Sequence, residues 1–130
     1  MKIKRITDRE LDIMNVFWKS GEPMIASEIV AKSPELSIST VQISLKKLME
    51  KGYLQVADIV YSGKVLTRRY ETIRTTNSYI IDEIDTVAEG FKDNKFSVEL
   101  FETLLNLNSD EKGTLDKLEA LVKKRKEEIA

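Results

Sequence analysis

The 130-residue chain has no cysteine and no histidine. Without thiols there is no disulfide framework, no thiol nucleophile and no thiolate metal site. Without imidazole the usual general base near neutral pH is missing, and neither a Ser-His-Asp triad nor a His-ligated zinc can be assembled. The five glycines, at 21, 52, 63, 90 and 113, are dispersed. They cannot form a phosphate loop or a dinucleotide fingerprint. Carboxylates remain for acid–base work, but no pair stands apart from ordinary helix-face charge. No metal, no cofactor and no enzymatic activity is expected. Long apolar runs are absent too. Val16–Trp18 and Ile59–Tyr61 are typical, whereas a membrane span needs about 18 consecutive apolar residues. Met1 to Arg5 is basic, but Asp8, Arg9, Glu10 and Asp12 stand where a signal peptide would be apolar. A cytoplasmic protein without membrane contact is the expectation.

What is present is charge, unevenly spread. Overall the net charge is -1. Residues 1–75 hold 13 Lys+Arg and 9 Asp+Glu, a net of +4, while residues 76–130 hold 8 and 13, a net of -5. A basic half followed by an acidic half fits a nucleic-acid-binding domain joined to something else. The near-neutral total does not argue against DNA, because counterion release depends on the local patch.

The pattern predicts six helices and one hairpin. Thr7 and Glu10 form a T-x-x-E capping box ahead of Leu11, Met14, Phe17 and Trp18, the apolar stripe of a helix over about 8–19. A short helix over about 25–32 buries Ala26, Ile29 and Val30 and lacks a good cap, since Ile25 sits where Ser or Thr would pair with Glu28. Ser33-Pro34 stops it. Ser39 is the expected N-cap of a third helix. Its buried stripe is Val41, Leu45, Leu48 and Met49, and its opposite face carries Thr40, Gln42, Ile43, Lys46, Lys47 and Glu50. Gly52 suits the left-handed residue after the helix. Tyr53–Tyr61 and Lys64–Thr72 read as strands around a Ser62-Gly63 turn.

Three helices and a hairpin within about 70 residues are the plan of a winged helix-turn-helix. In that plan the third helix enters the major groove and the hairpin lies on the flanking backbone. Gln42 can reach a base edge, Ile43 can pack on a thymine methyl, and Lys46 and Lys47 can reach phosphates. Ser39 and Thr40 open the same face, and Lys64, Arg68 and Arg69 are the wing's expected contacts. Fold alone leaves two other classes open. One is a winged helix used as a protein-interaction module without DNA binding, and the other is a small carboxylate enzyme.

Thr7–Met14 followed by Trp18, then Ala26-Ser27-Glu28-Ile29-Val30, then Ser39-Thr40-Val41, Leu45, Leu48 and Glu50-Lys51-Gly52-Tyr53-Leu54 resemble, in order and spacing, the three helices of the penicillinase-repressor family. The resemblance is strong over 7–54, loose in the hairpin, and one of helix pattern and length beyond it. It implies a dimeric transcriptional repressor on a palindromic operator, with double-stranded DNA and a second copy as partners. In antibiotic-resistance members a sensor protease triggers cleavage of an Asn-Phe bond, so a protease that inactivates the repressor is a further implied partner. Here the register places Leu100-Phe101 at that bond. The Asn is missing, which argues against induction by that route. Copper-responsive members carry C-terminal Cys-x-Cys, which a cysteine-free chain cannot supply. The base-reading Arg of some members falls at Gln42.

The C-terminal part supports dimerisation on its own pattern. Ile80, Ile81, Ile84, Val87, Ala88 and Phe91 form a stripe over about 77–91. Phe96, Val98, Leu100, Phe101, Leu104 and Leu105 mark a second helix with Ser97 as cap. Ser109 caps a third, with Leu115, Leu118, Leu121 and Val122 as its stripe. Gly113 should weaken that helix by about 1 kcal/mol relative to Ala. Some 55 residues are too few to bury these stripes alone, and a twofold mate is the simplest cover. The expected interface is Ile84, Val87, Phe91, Leu100, Phe101, Leu104, Leu115, Leu118, Leu121 and Val122. The expected fold is mainly α with a small β-hairpin: a winged-helix DNA-binding domain over 1–75, then a three-helix dimerisation domain over 76–130.

Overall fold

The computed structural model describes the backbone of residues 5–88 and 94–130, and side chains within 5–86 and 97–130. In chain order the elements are α1 (Asp8–Ser20), α2 (Ala26–Lys32), α3 (Ile38–Glu50), β1 (Leu54–Ser62), β2 (Val65–Thr72), α4 (Thr76–Ala88), α5 (Asn94–Asn106) and α6 (Glu111–Ile129). They divide into two compact units, Met1–Ile84 and Asp85–Ala130. This is the expected winged helix-turn-helix followed by helices. Among the described residues no helix is long and apolar enough to cross a membrane.

The first unit is built around one core. Ile13, Met14 and Phe17 of α1, Ile29 of α2, and Val41, Leu45 and Leu48 of α3 are buried together with Met24, Tyr53 and Leu54. Each such side chain contributes roughly 1.5–3 kcal/mol on burial. The capping box of α1 forms as predicted: Thr7 Oγ1 accepts from the Glu10 N–H at 3.2 Å, and the Thr7 N–H donates to Glu10 Oε1 at 2.8 Å. The start of α2 keeps only half of such a box, the Ile25 N–H donating to Glu28 Oε1 at 2.9 Å.

The cap of α3 lies two residues before the expected one. Ser37, not Ser39, accepts from the Thr40 N–H, at 3.1 Å. The reason is apolar. With Ser37 as cap, Leu36 before it and Val41 in the first turn are both buried and can staple the entry. A cap at Ser39 would assign those roles to Ile38 and Ile43, which are both exposed. The far end closes as a Schellman motif. Tyr53 N–H donates to Leu48 O at 2.9 Å and Gly52 N–H to Met49 O at 3.1 Å, with Gly52 at φ 83°.

Strands β1 and β2 pair antiparallel, from Leu54↔Thr72 to Ser62↔Val65. Ser62 is therefore a paired residue, and the turn is Gly63-Lys64 rather than Ser62-Gly63. Ala57 is the extra residue of a bulge between Val56 and Asp58. Met24 bridges Tyr70 by reciprocal backbone hydrogen bonds of 2.8 and 2.9 Å, tying the wing's base to the helices.

In the second unit α5 begins at Asn94, so Ser97 lies inside the helix instead of capping it. The cap of α6 is Asp110, one residue after the expected Ser109, and Asp110 Oδ1 accepts from the Gly113 N–H at 3.1 Å. Gly113 has a local purpose: a β-carbon there would collide with the Asp110 carboxylate. No described side chain of residues 97–130 is buried.

Candidate nucleic-acid interface

The core assigns α3 its outward face. Val41, Ser44, Leu45 and Leu48 point inward, and Ser39, Gln42, Ile43, Lys46, Lys47 and Glu50 are exposed. These six recur at helical spacing and form one stripe. With side chains a helix is about 10–12 Å across, which fits a major groove about 12 Å wide. Thr40 stands at the edge of the stripe. It is half-buried, and its hydroxyl oxygen accepts from Ser37 Oγ at 2.9 Å. Ile43 is 58% exposed, so an apolar branched side chain sits in the middle of an otherwise polar stripe.

The wing's cations are not equivalent. Lys64 is in the exposed turn, and Arg68 is exposed opposite Ile59. Arg69, one residue on, points to the other face of the ribbon. There its guanidinium grips Asp58 with both edges, Nε to Oδ1 at 2.7 Å and Nη2 to Oδ2. The hydrogen bond between them raises the pKa of Arg69 and lowers that of Asp58. Among the described residues Lys64 and Arg68 have no such ion pair. Ile59, Tyr61, Val65 and Leu66 of the wing are also exposed.

Two charged features were not visible in sequence patterns. Glu10 is 2% exposed, and its Oε1 accepts from Lys51 Nζ at 2.6 Å. Burial raises the Glu10 pKa, but the hydrogen bonds from Lys51 and the Thr7 backbone outweigh it, and the net direction is downward. Lys51 directly follows α3, so this pair ties the end of the outward-facing helix to the start of α1. The second is Arg74, 7% exposed, between β2 and α4. Its Nη2 donates to Ser78 O at 3.1 Å and to Asp82 Oδ2, and its guanidinium lies 5.5 Å from the Tyr53 ring centre. Separations of 41 residues for Glu10 and Lys51, and a loop position for Arg74, gave periodicity nothing to detect.

The expected interface residues of the C-terminal part lie as follows. Ile84 is half-buried in the first unit. The side chain of Val87 and the whole of Phe91 lie outside the described residues. Phe101, Leu104, Leu115, Leu121 and Val122 are exposed, and Leu100 and Leu118 are half-buried. Phe101, Leu118, Leu121, Val122 and Ile129 line an open groove of about 520 Å³ edged by Arg125 and Lys126. Leu100-Phe101 falls within α5 rather than near its start. Among the described residues no cluster of three acidic groups can hold a metal ion.

Comparisons with known proteins place the chain in a family. The family model described as penicillinase repressor matches residues 6–126. A "possible transcriptional regulator" from Methanosarcina mazei Go1 is similar in structure, with 26% identity, 75% of this chain and 78% of that chain covered, and a TM-score of 0.50. A mutant of Lactococcus lactis ZitR (14% identity, 95% and 78% covered, TM-score 0.45) and the adhesin competence repressor AdcR from Streptococcus pyogenes (16%, 96% and 81%, 0.41) also match. No curated protein matches in sequence. The family match runs from α1 to α6, across both units, and the chain belongs to the penicillinase repressor family of DNA-binding transcriptional repressors.

Proposed function

We propose that the chain is a dimeric, sequence-specific repressor that binds a palindromic operator with two copies of α3. The carrying observation is the stripe Ser39, Gln42, Ile43, Lys46 and Lys47, exposed on the helix that a winged helix presents to DNA. Gln42 reads a base edge, Ile43 packs against a thymine methyl, and Ser39 and Thr40 bond at the groove's edge. Lys46 and Lys47, with Lys64 and Arg68 of the wing, contact phosphates. Arg69 joins them only when Asp58 releases it. On this reading DNA binding belongs to residues 1–75, with the first turns of α4 packed into the same unit, and dimerisation to the helices that follow.

Dimerisation is supported by the apolar face of α5 and α6. Phe101, Leu104, Leu115, Leu121 and Val122 are each 44–52% exposed, a density of apolar surface that isolated helices do not leave in water. A second copy is the occupant a palindromic operator requires. Linking two half-site readers then gains roughly 10²-fold or more over one. By the family's name, the genes controlled are read as those of antibiotic resistance, in the cytoplasm. A protease that cuts the C-terminal part is a further partner on this reading, although Leu100-Phe101 lies within a helix and lacks the family's Asn. One observation favours a protein-interaction module instead: the apolar wing residues Ile59, Tyr61, Val65 and Leu66.

Selection of bound sites from random duplex DNA tests the reading, together with sedimentation. The expected result is an inverted repeat with half-sites about one helical turn apart, bound by a dimer with affinity falling steeply with salt. Salt-independent or absent DNA binding overturns it in favour of the interaction module.

A further inference from the structure

We propose that Ile43 makes the repressor a reader of the C5 methyl group of pyrimidines, so that 5-methylcytosine takes the place of thymine at that contact while unmethylated cytosine and uracil do not. The inference rests on the reading of α3 as the DNA-facing helix. It adds a chemical modification of the operator to which the protein responds.

One exposed isoleucine is ordinary by itself, and the surroundings of Ile43 make it specific. The side chain is 58% exposed and takes no part in the core, whose partly buried margin is Ile6, Val16, Trp18, Val30, Tyr70 and Tyr79. On a helix the neighbours of a side chain stand three and four positions away. For Ile43 these are Ser39, Thr40, Lys46 and Lys47. None is apolar, so α3 cannot cover it. Thr40 is engaged elsewhere, its N–H and hydroxyl oxygen both bonded to Ser37 Oγ. Among the described residues neither Lys46 nor Lys47 is in an ion pair. An anionic partner that draws these two lysines therefore closes over Ile43 as well.

In the major groove of a duplex the apolar group on offer is the C5 methyl of thymine. Branching at Cβ holds an isoleucine in a helix to one χ1 rotamer about nine times in ten. Ile43 thus meets that methyl from a preset position at little entropic cost. Its side chain has neither donor nor acceptor. It is blind to what separates thymine from 5-methylcytosine, a carbonyl O4 against an N4 amino group on the neighbouring ring carbon. Both bases carry the same methyl at C5, where cytosine and uracil carry hydrogen. Methylation of a cytosine at this position therefore strengthens binding. Burial of one methyl changes an equilibrium by about fourfold, and two half-sites together by about fifteenfold.

The test uses the full chain and the inverted repeat it selects. In synthetic duplexes each thymine of a half-site is replaced in turn by deoxyuridine, and each T·A pair by cytosine or 5-methylcytosine opposite guanine. Fluorescence anisotropy reads two affinity ratios at each position, thymine over uracil and 5-methylcytosine over cytosine. Each ratio reports a methyl group alone. At one position per half-site both should be about fourfold, rising to about fifteenfold when both half-sites are changed. Ile43→Ser should bring both ratios at that position below about 1.5-fold, and Ile43→Val, which keeps the branch, should retain about twofold or more. Gln42→Ala should weaken binding yet keep both ratios, which separates loss of the methyl contact from general weakening. Ile43→Gln, a stronger helix former, replaces Ile43→Ser if the latter does not fold, with the same expected collapse. Ratios near one at every position, a thymine ratio without a matching 5-methylcytosine ratio, or ratios that survive in Ile43→Ser overturn the methyl contact and leave α3 as the reader. A wild type that binds no duplex overturns the DNA-facing reading and the methyl contact with it.

Discussion

Lys51→Met isolates the ion pair that ties α3 to α1. The methionine keeps the length and most of the apolar volume of the lysine stem but removes the ammonium 2.6 Å from Glu10 Oε1. Glu10 then remains buried at 2% exposure, with Oε2 already lacking a hydrogen-bond partner. Breaking a buried pair in this way costs about 3–5 kcal/mol. Two features lower that figure to about 2–3 kcal/mol: Lys51 is 21% exposed, and the Thr7 N–H still donates to the carboxylate. Protonation limits the loss further, since each unit of pKa shift is worth about 1.4 kcal/mol. For the first unit this is a fall in melting temperature on the order of 10 °C. The pH dependence differs between the two proteins. In the wild type the Glu10 pKa is below 4.5, so its contribution is complete above that value and is lost as pH falls through the folded pKa. In Lys51→Met only the Thr7 hydrogen bonds oppose burial, so the Glu10 pKa rises from its wild-type position and the deficit of the variant relative to the wild type narrows as pH falls. Denaturant melts of both proteins, and of Glu10→Gln/Lys51→Met, measure this. A variant that loses less than about 0.5 kcal/mol, or that shares the wild-type pH profile, refutes the assignment.

The remaining predictions concern binding. Gln42→Ala should cost about 1–3 kcal/mol on the selected site and relax preference at one base pair, while Lys46→Ala should weaken all duplexes alike and reduce the salt slope by about one. Fluorescence anisotropy over a salt series separates the two, and unchanged binding in both shows that α3 is not the reader. Asp58→Asn should release Arg69 and strengthen non-specific binding, whereas Arg68→Ala should weaken it; equal affinities in all three proteins remove the wing from the interface. Leu118→Asp places a charge in the apolar groove of α5 and α6 and should yield monomers, with dimeric sedimentation of that variant as the contrary result. A fragment ending at Ile84 should fold, sediment as a monomer and lose roughly 10²-fold on the full operator.

The stretches legible in the sequence are those where a local rule and the core agree. Thr7 and Glu10 formed their box because both partners lie within one turn. Val41, Leu45 and Leu48 marked the inner face of α3, and that immediately left Gln42, Ile43, Lys46 and Lys47 outside. Misreadings arose where two residues competed for one local role. Ser37 and Ser39 can each cap a helix, and the choice turned on which apolar neighbour, Leu36 or Ile38, reached the core. Ser109 and Asp110 competed in the same way, and Gly113 supplied the room that favoured Asp110. The turn slipped by one residue because Ser62 could pair with Val65.

Long-range charge is where pattern reading stops. Periodicity treats Glu10 as a capping carboxylate, which is correct as far as it goes, and gives Arg74 no role. Glu10 serves twice because the end of α3 happens to bring Lys51 to it, a fact of tertiary packing that no spacing encodes. Arg74 is buried because Trp18 of α1, Tyr79 of α4 and Tyr53 of the loop before β1 converge on it. The consequence reaches to the boundary between the two halves. Helical pattern alone divides the chain where the wing ends and α4 begins, at 75/76. The contacts of Ser78, Tyr79 and Asp82 instead carry the first turns of α4 into the compact unit that ends at Ile84. A fragment cut at Thr75 would leave the Arg74 guanidinium and one face of Trp18 without their partners. That is why the fragment proposed above extends to Ile84, and why the first turns of α4 belong to the DNA-reading unit.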